Sequence, residues 1–222
     1  MAALIGATGV MMLVAYLVGG IPFGLLATRK SAVDIRHKGS GNIGMTNVAR
    51  TVGARAAALT FVGDMGKGLL IMLISRALIA ALCFSGDWSM LSIHSPFALS
   101  ATLIFAACIL GHVFSPYLHF HGGKGISVGF GAGLGLFVPV GLGMLVVFLA
   151  FVIPTRYISL GSIMAAISLP IQCALWGMAP GALIPICVVA CVVVWAHRSN
   201  VKKLISHQES KFMINKHDDG EQ

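Results

Sequence analysis

The chain has 222 residues, 57% of them hydrophobic and only 10% charged, with a mean hydropathy of +0.92 and a formal net charge of +8. Soluble domains carry about 25% charged residues, so a water-soluble globule is excluded and most of the surface must face hydrocarbon. The basic excess lies beside the apolar runs rather than in a patch of its own, which argues against nucleic acid as the partner.

Apolar runs begin near Ala2, Leu69, Ser95, Ile126, Ile158 and Gly181. About 20 apolar residues cross a bilayer as a helix, because each backbone polar group is then satisfied within its own segment. The first run reads as a span and not as a cleaved leader. A leader starts with basic residues ahead of a short apolar stretch, and no Lys or Arg precedes Arg29. With no linker or repeat to divide the chain, one polytopic domain is expected over residues 1–212, followed by a polar cytoplasmic tail at 213–222. Cys83, Cys108, Cys173, Cys187 and Cys191 all lie in apolar stretches without CxxC spacing, so they read as small apolar residues and not as a metal or redox site.

Charge placement then sets the topology. Arg29, Lys30, Arg36, Lys38, Arg50 and Arg55 follow the first run, Lys124 and Arg156 flank the fourth, and Arg198, Lys202, Lys203, Lys211 and Lys216 follow the last. The segment 85–95 has no Lys or Arg. Basic loops stay cytoplasmic and attract anionic headgroups, so the N-terminus is expected outside and the basic loops inside. Lys124 and Arg156 then share a side, and residues 126–153 must cross an even number of times or dip in and return. Those 28 residues are fewer than the ~40 of two full spans. They are Gly-rich with Pro139 at the midpoint, and read as two short, tilted or re-entrant helices. The "GFGAGLG" run would let neighbouring helices approach closely. The expectation is an all-α integral membrane protein of about seven transmembrane helices, with its polar motifs at the cytoplasmic face.

Five polar stretches punctuate the apolar ones. "GSGNIG" at 39–44 fits the dinucleotide fingerprint, but that fingerprint needs a strand before it and a βαβ unit around it. "DIRHK" precedes it and a membrane span follows, so the dinucleotide reading fails. Gly-rich turns can still wrap an anion with backbone N–H groups, here beside Ser40, Gly41, Asn42, Thr46 and Asn47, with Arg50 able to fork onto a phosphate. "GDMGKG" puts Asp64 and Lys67 three residues apart on one helix face, as a structural ion pair or a substrate contact. In "GHVFSPYLHFHGGKG", Gly122, Gly123 and Gly125 around Lys124 offer an anion turn. His112 reads as hydrogen-bonded structure, and His119 and His121 lack the carboxylate or Cys that a metal site would add. In "YISLGSI", Ser159 and Ser162 taken alone read as helix packing. "WAHRSNVKKLISHQESKF" places His197 and Asn200 on one face of a helix leaving the membrane. Each stretch has a bland explanation, but all fall on the predicted cytoplasmic side, and polar residues converging in a membrane protein are functional by default.

"GSGNIGMTNVAR", "GDMGKG", "GHVFSPYLHFHGGKG", "SLGSI" and "HRSNVKKL…QESKF", in this order over nearly the whole chain, resemble the bacterial acyl-phosphate:glycerol-3-phosphate acyltransferase family (PlsY). Ile43 departs from the Pro that many members carry, and His121 from their Lys or small residue. The resemblance implies a seven-helix bundle in the bacterial inner membrane. It also implies acyl transfer from acyl phosphate to the 1-hydroxyl of glycerol 3-phosphate, giving lysophosphatidic acid and inorganic phosphate in phospholipid synthesis. By motif match it assigns Ser40, Arg50, Lys124, Ser162, His197 and Asn200 to the catalytic site. Gly41, Asn42, Thr46, Asn47, Lys67, Gly122, Gly123 and Gly125 fall around the bound phosphates.

No cofactor or metal is expected. The expected partners are the two substrates, membrane lipids and a soluble enzyme that makes acyl phosphate. An acyl phosphate is already activated, so direct attack by the glycerol hydroxyl needs no acyl-enzyme. His197, oriented by Asn200, is the expected group to place or deprotonate that hydroxyl, with the substrate's own phosphate as the other proton acceptor. No His is followed five positions later by Asp, as the acyl-thioester acyltransferases would require. The rival from another class is a transporter of a small phosphorylated solute, which would place charges near the midplane and show internal repeats.

Overall fold

The computed structural model describes residues 1–212, and the tail expected at 213–222 lies outside them. The described residues form helices and no strands. In chain order the α-helices are α1 (Ala2–Gly20), α2 (Phe23–Thr28), α3 (Met45–Thr51), α4 (Ala54–Cys83), α5 (Ala98–Val113), α6 (Ile126–Leu136), α7 (Val138–Thr155), α8 (Ile158–Leu175), α9 (Pro180–Ala196) and α10 (Arg198–Ile205). Five segments are long and apolar enough to cross a membrane, or six if α9 and α10, bent by 56°, are taken together; α6 is a shorter apolar helix. The chain is therefore an all-helical membrane protein, as its composition requires. Large apolar side chains such as Leu13, Leu70, Val146, Ile153 and Leu175 point outward, which is where lipid replaces water.

Glycines set the two closest helix crossings. A Cβ on Gly19 would fall on the carbonyl of Cys108, and one on Gly111 on the carbonyl of Tyr16, so α1 and α5 meet backbone to backbone. The same holds between α4 and α6, where Gly68 meets Val128 and Gly131 meets Met65. Small residues substitute for a hydrophobic driving force in lipid by allowing dense packing, and the Gly-rich 126–136 run does this against α4. Pro22, which removes a backbone donor and resists the α region before it, separates α1 from α2 and leaves the Ile21 carbonyl pointing inward.

The pair over 126–155 differs from expectation in one respect. The chain does break, with Phe137 extended, but Pro139 sits in the first turn of α7 and not at a hairpin midpoint. Proline is tolerated there because the first-turn N–H groups have no helical partner anyway. The helix then continues through Pro154 to Thr155, so α7 is a full-length span of 18 residues and only α6, with 11, is short. The carbonyls of Gly135 and Leu136 at the end of α6 accept hydrogen bonds from Arg76 of α4 at 2.9 and 3.1 Å.

At the other end of α6 the chain segments with polar motifs come together. A small apolar cluster of Ile35, Ile43, Val48 and Ala57 seats the 35–57 loop against α4. The backbone N–H of Phe212 donates to the carbonyl of Arg156 at 2.8 Å, tying the C-terminal strap to the α7–α8 corner. Lys124 and Arg156 thus lie at one end of the bundle, as the parity of the basic loops requires.

Candidate active site

A cavity of about 350 Å³ opens among α4, α6, α7, α8, the 39–50 loop and the α9–α10 junction. Its polar wall holds Ser40, Arg50, Lys124, Ser162, His197 and Asn200, the six residues that the family resemblance assigns to the catalytic site. Asn42, Thr46, Asn47 and Gly125 also line it. Its apolar wall is Phe61, Phe130, Met144, Leu145 and Phe148, with the Phe61 and Phe130 rings stacked at 6.5 Å.

The loop bearing Ser40 is held from within. Gly39 and Gly41 have positive φ of 61° and 70°, a region glycine enters without a Cβ penalty. Asn47, buried at 2% exposure, accepts the Ser40 N–H at 2.8 Å and donates to the carbonyls of Ile35 and Lys38 at 2.9 and 3.1 Å. Its amide therefore clamps the loop, although a phosphate contact was expected of it. Asn42 accepts the Gly44 N–H at 2.8 Å. Arg50 is exposed and donates to the carbonyl of Ser210 at 3.2 Å.

Lys124 anchors a chain of polar contacts. Its ammonium donates to Asn200 Oδ1 at 2.5 Å. Asn200 Nδ2 donates to Glu209 Oε1 at 2.9 Å, and the same oxygen accepts the Ser159 hydroxyl at 2.6 Å. Burial lowers the proton affinity of Lys124, opposed by Glu209 and reinforced by the Lys203 and Arg50 charges. Glu209 is the site residue that the sequence did not reveal. Its partners lie on two other elements, and the one available signal was that no other acidic residue occurs between Asp87 and Asp218. Ser159 likewise serves this carboxylate and not helix packing, while Ser162 donates to the Ile158 carbonyl at 2.8 Å, the back-bond expected of a serine in a helix.

His197 is oriented differently from expectation. Its Nδ1 lies 2.8 Å from the Val193 carbonyl, whereas Asn200 is engaged with Lys124 and Glu209. A carbonyl can only accept, so Nδ1 carries the proton and Nε2 is left as a basic nitrogen.

Four residues expected around the phosphates, Gly41, Lys67, Gly122 and Gly123, are not among those lining the cavity. The Lys67 ammonium is 2.7 Å from Asp64 Oδ1, with the two side chains 2% and 3% exposed. It also donates to the Ile21 carbonyl at 2.7 Å and lies 3.1 Å from His112 Nδ1. Of the two readings open for this pair, the ion pair is the one present. The N–H groups of Gly122 and Gly123 are also engaged, donating to the carbonyls of Val113 and His112, each at 3.0 Å. A Cβ on Gly122 would meet the His112 carbonyl and one on Gly123 the His112 ring. These glycines let the turn lie against the end of α5. Their N–H groups do not form the anion nest that the turn suggested.

Among the described residues, no group of three or more His, Cys, Asp or Glu side chains could hold a metal ion.

Comparison with known proteins fits this geometry. A family model described as glycerol-3-phosphate acyltransferase matches residues 9–207. A glycerol-3-phosphate acyltransferase of Geobacter sulfurreducens is 41% identical over 199 residues, covering 90% of this chain and 94% of that protein. One of Trichlorobacter lovleyi is 42% identical over 198 residues, covering 89% and 94%. The crystal structure of PlsY, an integral membrane glycerol 3-phosphate acyltransferase, in its glycerol 3-phosphate form, superimposes with a TM-score of 0.80 at 31% identity, over 93% of this chain and 96% of that one. Its lysophosphatidic acid form gives a TM-score of 0.78 at 30% identity, over 93% and 95%. With the polar motifs of five chain segments gathered in one cavity and relatives matched nearly end to end, the chain belongs to the glycerol-3-phosphate acyltransferase family of integral membrane enzymes.

Proposed function

We propose that the protein transfers an acyl group from acyl phosphate to the 1-hydroxyl of glycerol 3-phosphate, at the cytoplasmic face of the bacterial inner membrane. The observation that carries this reading is the two-sided cavity, with basic and hydroxyl groups on one wall and aromatic and aliphatic side chains on the other. Such a cavity suits a phosphate and an acyl tail on one molecule. The acceptor is supported by the PlsY structure solved in a glycerol 3-phosphate form, and the product by that solved in a lysophosphatidic acid form.

In this reading Arg50 and Lys124 hold the two phosphates. Lys124 has one protein acceptor among the described residues, which leaves two of its three N–H donors for substrate. Ser40 and Thr46 donate hydroxyls to phosphate oxygens. Ser162 lines the wall nearest the acyl carbonyl, and Asn200 fixes Lys124. The glycerol oxygen attacks the acyl carbon, and His197 Nε2 takes its proton. The new C–O bond forms with the charge moving onto the carbonyl oxygen, and the bond from carbon to the phosphate oxygen breaks as the carbonyl re-forms. The proton then passes from His197 to the departing phosphate. No acyl-enzyme is needed, because the leaving group departs once its charge is held. The acyl-phosphate-producing enzyme would be a soluble partner, since every polar wall of the site lies at one end of the bundle.

The test is an assay of the purified protein with acyl phosphate, acyl-CoA and acyl carrier protein as competing donors. Phosphate release matched one-for-one by lysophosphatidic acid, from acyl phosphate only, is expected. Equal use of a thioester donor would refute the donor assignment.

A further inference from the structure

His112 lines the same cavity as His197 and is also buried, at 5% exposure, but its ring faces the opposite kind of partner. The Lys67 ammonium is surrounded by three acceptors, the Ile21 carbonyl at 2.7 Å, Asp64 Oδ1 at 2.7 Å and His112 Nδ1 at 3.1 Å. An ammonium has three hydrogens and no lone pair, so Nδ1 of His112 can only accept. The neutral ring then carries its proton on Nε2. For His197 the carbonyl of Val193 demands the reverse. One cavity thus holds two imidazoles locked in opposite tautomers, one offering a lone pair and the other an N–H.

We propose that His112 is a further catalytic residue, whose Nε2–H donates to the acyl carbonyl oxygen as that oxygen becomes an oxyanion. The inference rests on the acyl-phosphate reading of the site. Three observations converge on it. The Nε2 edge packs against Gly123, one residue before Lys124, where any Cβ would strike the ring. No described residue accepts a hydrogen bond from Nε2. The N–H groups of Gly122 and Gly123, which could otherwise have formed an oxyanion hole, are already bonded to the carbonyls of Val113 and His112. A neutral donor set in place by a neighbouring ion pair needs no reorganisation when charge develops, and that is where such donors act most strongly.

Two substitutions separate this role from a structural one, because they predict opposite orders. Asn at 112 can reproduce the Nδ1 position and keep an acceptor for Lys67, but it has nothing at Nε2. Gln can place an amide N–H near Nε2 but loses the acceptor. With purified enzyme, acyl phosphate and glycerol 3-phosphate, His112→Asn should lower kcat about a hundredfold or more at little change in KM, and His112→Gln should retain the higher kcat of the two. Near wild-type kcat in His112→Asn, with the loss falling on His112→Gln, would overturn the proposal and leave His112 a packing partner of Lys67. A measurement on the unaltered protein decides the point if either variant fails to fold. Nitrogen-15 spectra of histidine-labelled enzyme should show His112 protonated at Nε2, and protonation at Nδ1 would refute it. If the wild type proves to use a thioester donor instead, the parent reading fails while these spectra still report on His112.

Discussion

Two lysines, Lys67 and Lys124, show how similar chemistry serves different ends at two depths of the bundle. Lys67 is enclosed, and its ammonium lies within 3.1 Å of three protein acceptors. Lys124 is half-buried and has one acceptor, Asn200, among the described residues. The enclosed charge joins α4, α5 and the α1–α2 break, while the open one keeps donors for a ligand. A count of the hydrogen bonds left unused therefore separates the lysine proposed to bind substrate from the enclosed one, where the Gly-Lys-Gly string common to both does not.

The largest effect should come from breaking the enclosed pair. Lys67→Met leaves the Asp64 carboxylate buried without its partner, at a cost of about 3–5 kcal/mol, and the thermal unfolding midpoint in detergent should fall steeply. The double variant Lys67→Met, Asp64→Asn should recover most of that loss, since both charges are then gone. A stable single variant would show that the pair is not what holds those helices. Next in size is Lys124→Ala, expected to cut phosphate release about 10²–10³-fold with the unfolding midpoint nearly unchanged. An equal fall in stability would erase the contrast between the two sites.

The smallest effect concerns pH. Burial disfavours the charged form of Lys124, so its proton leaves at lower pH than that of an exposed lysine. Because the reading needs the ammonium, activity should decline as pH rises through that lowered value, ahead of ordinary lysine titration. Lys124→Arg, whose guanidinium stays charged, should push any remaining alkaline decline upward even if its turnover is poorer. An alkaline limb that ignores this substitution would have to be assigned to another group.

Much of the site was legible because its residues sit in short strings where glycine, hydroxyl and basic residues interrupt long apolar runs. Ser40, Arg50, Lys124, His197 and Asn200 stood out this way, Ser162 entered only through the family resemblance, and one cavity gathers all six. Charge parity also placed Lys124 and Arg156 at a common end. Three features escaped because they depend on contacts between distant segments. Glu209 belongs to the site only through Ser159 and Asn200, which α8 and the C-terminal strap bring together. The roles of Asn47 and the 122–123 glycines turn on backbone partners that no string of letters displays. The length of α7 was underestimated because Pro139 was read as the midpoint of two short halves, whereas it sits in the first turn of a helix that runs on to Thr155.

The short helix α6 has a consequence for how the protein is made. At 1.5 Å per residue, its 11 residues reach only about 16 Å, roughly half the hydrocarbon thickness, so it cannot be released into lipid as a stable span by itself. The buried carbonyls of Gly135 and Leu136 at its end are bonded by Arg76, which is carried on a helix synthesised earlier. A short helix of this kind depends on α4 for both its packing and its last carbonyls, so α6 is expected to settle only where α4 is already in place.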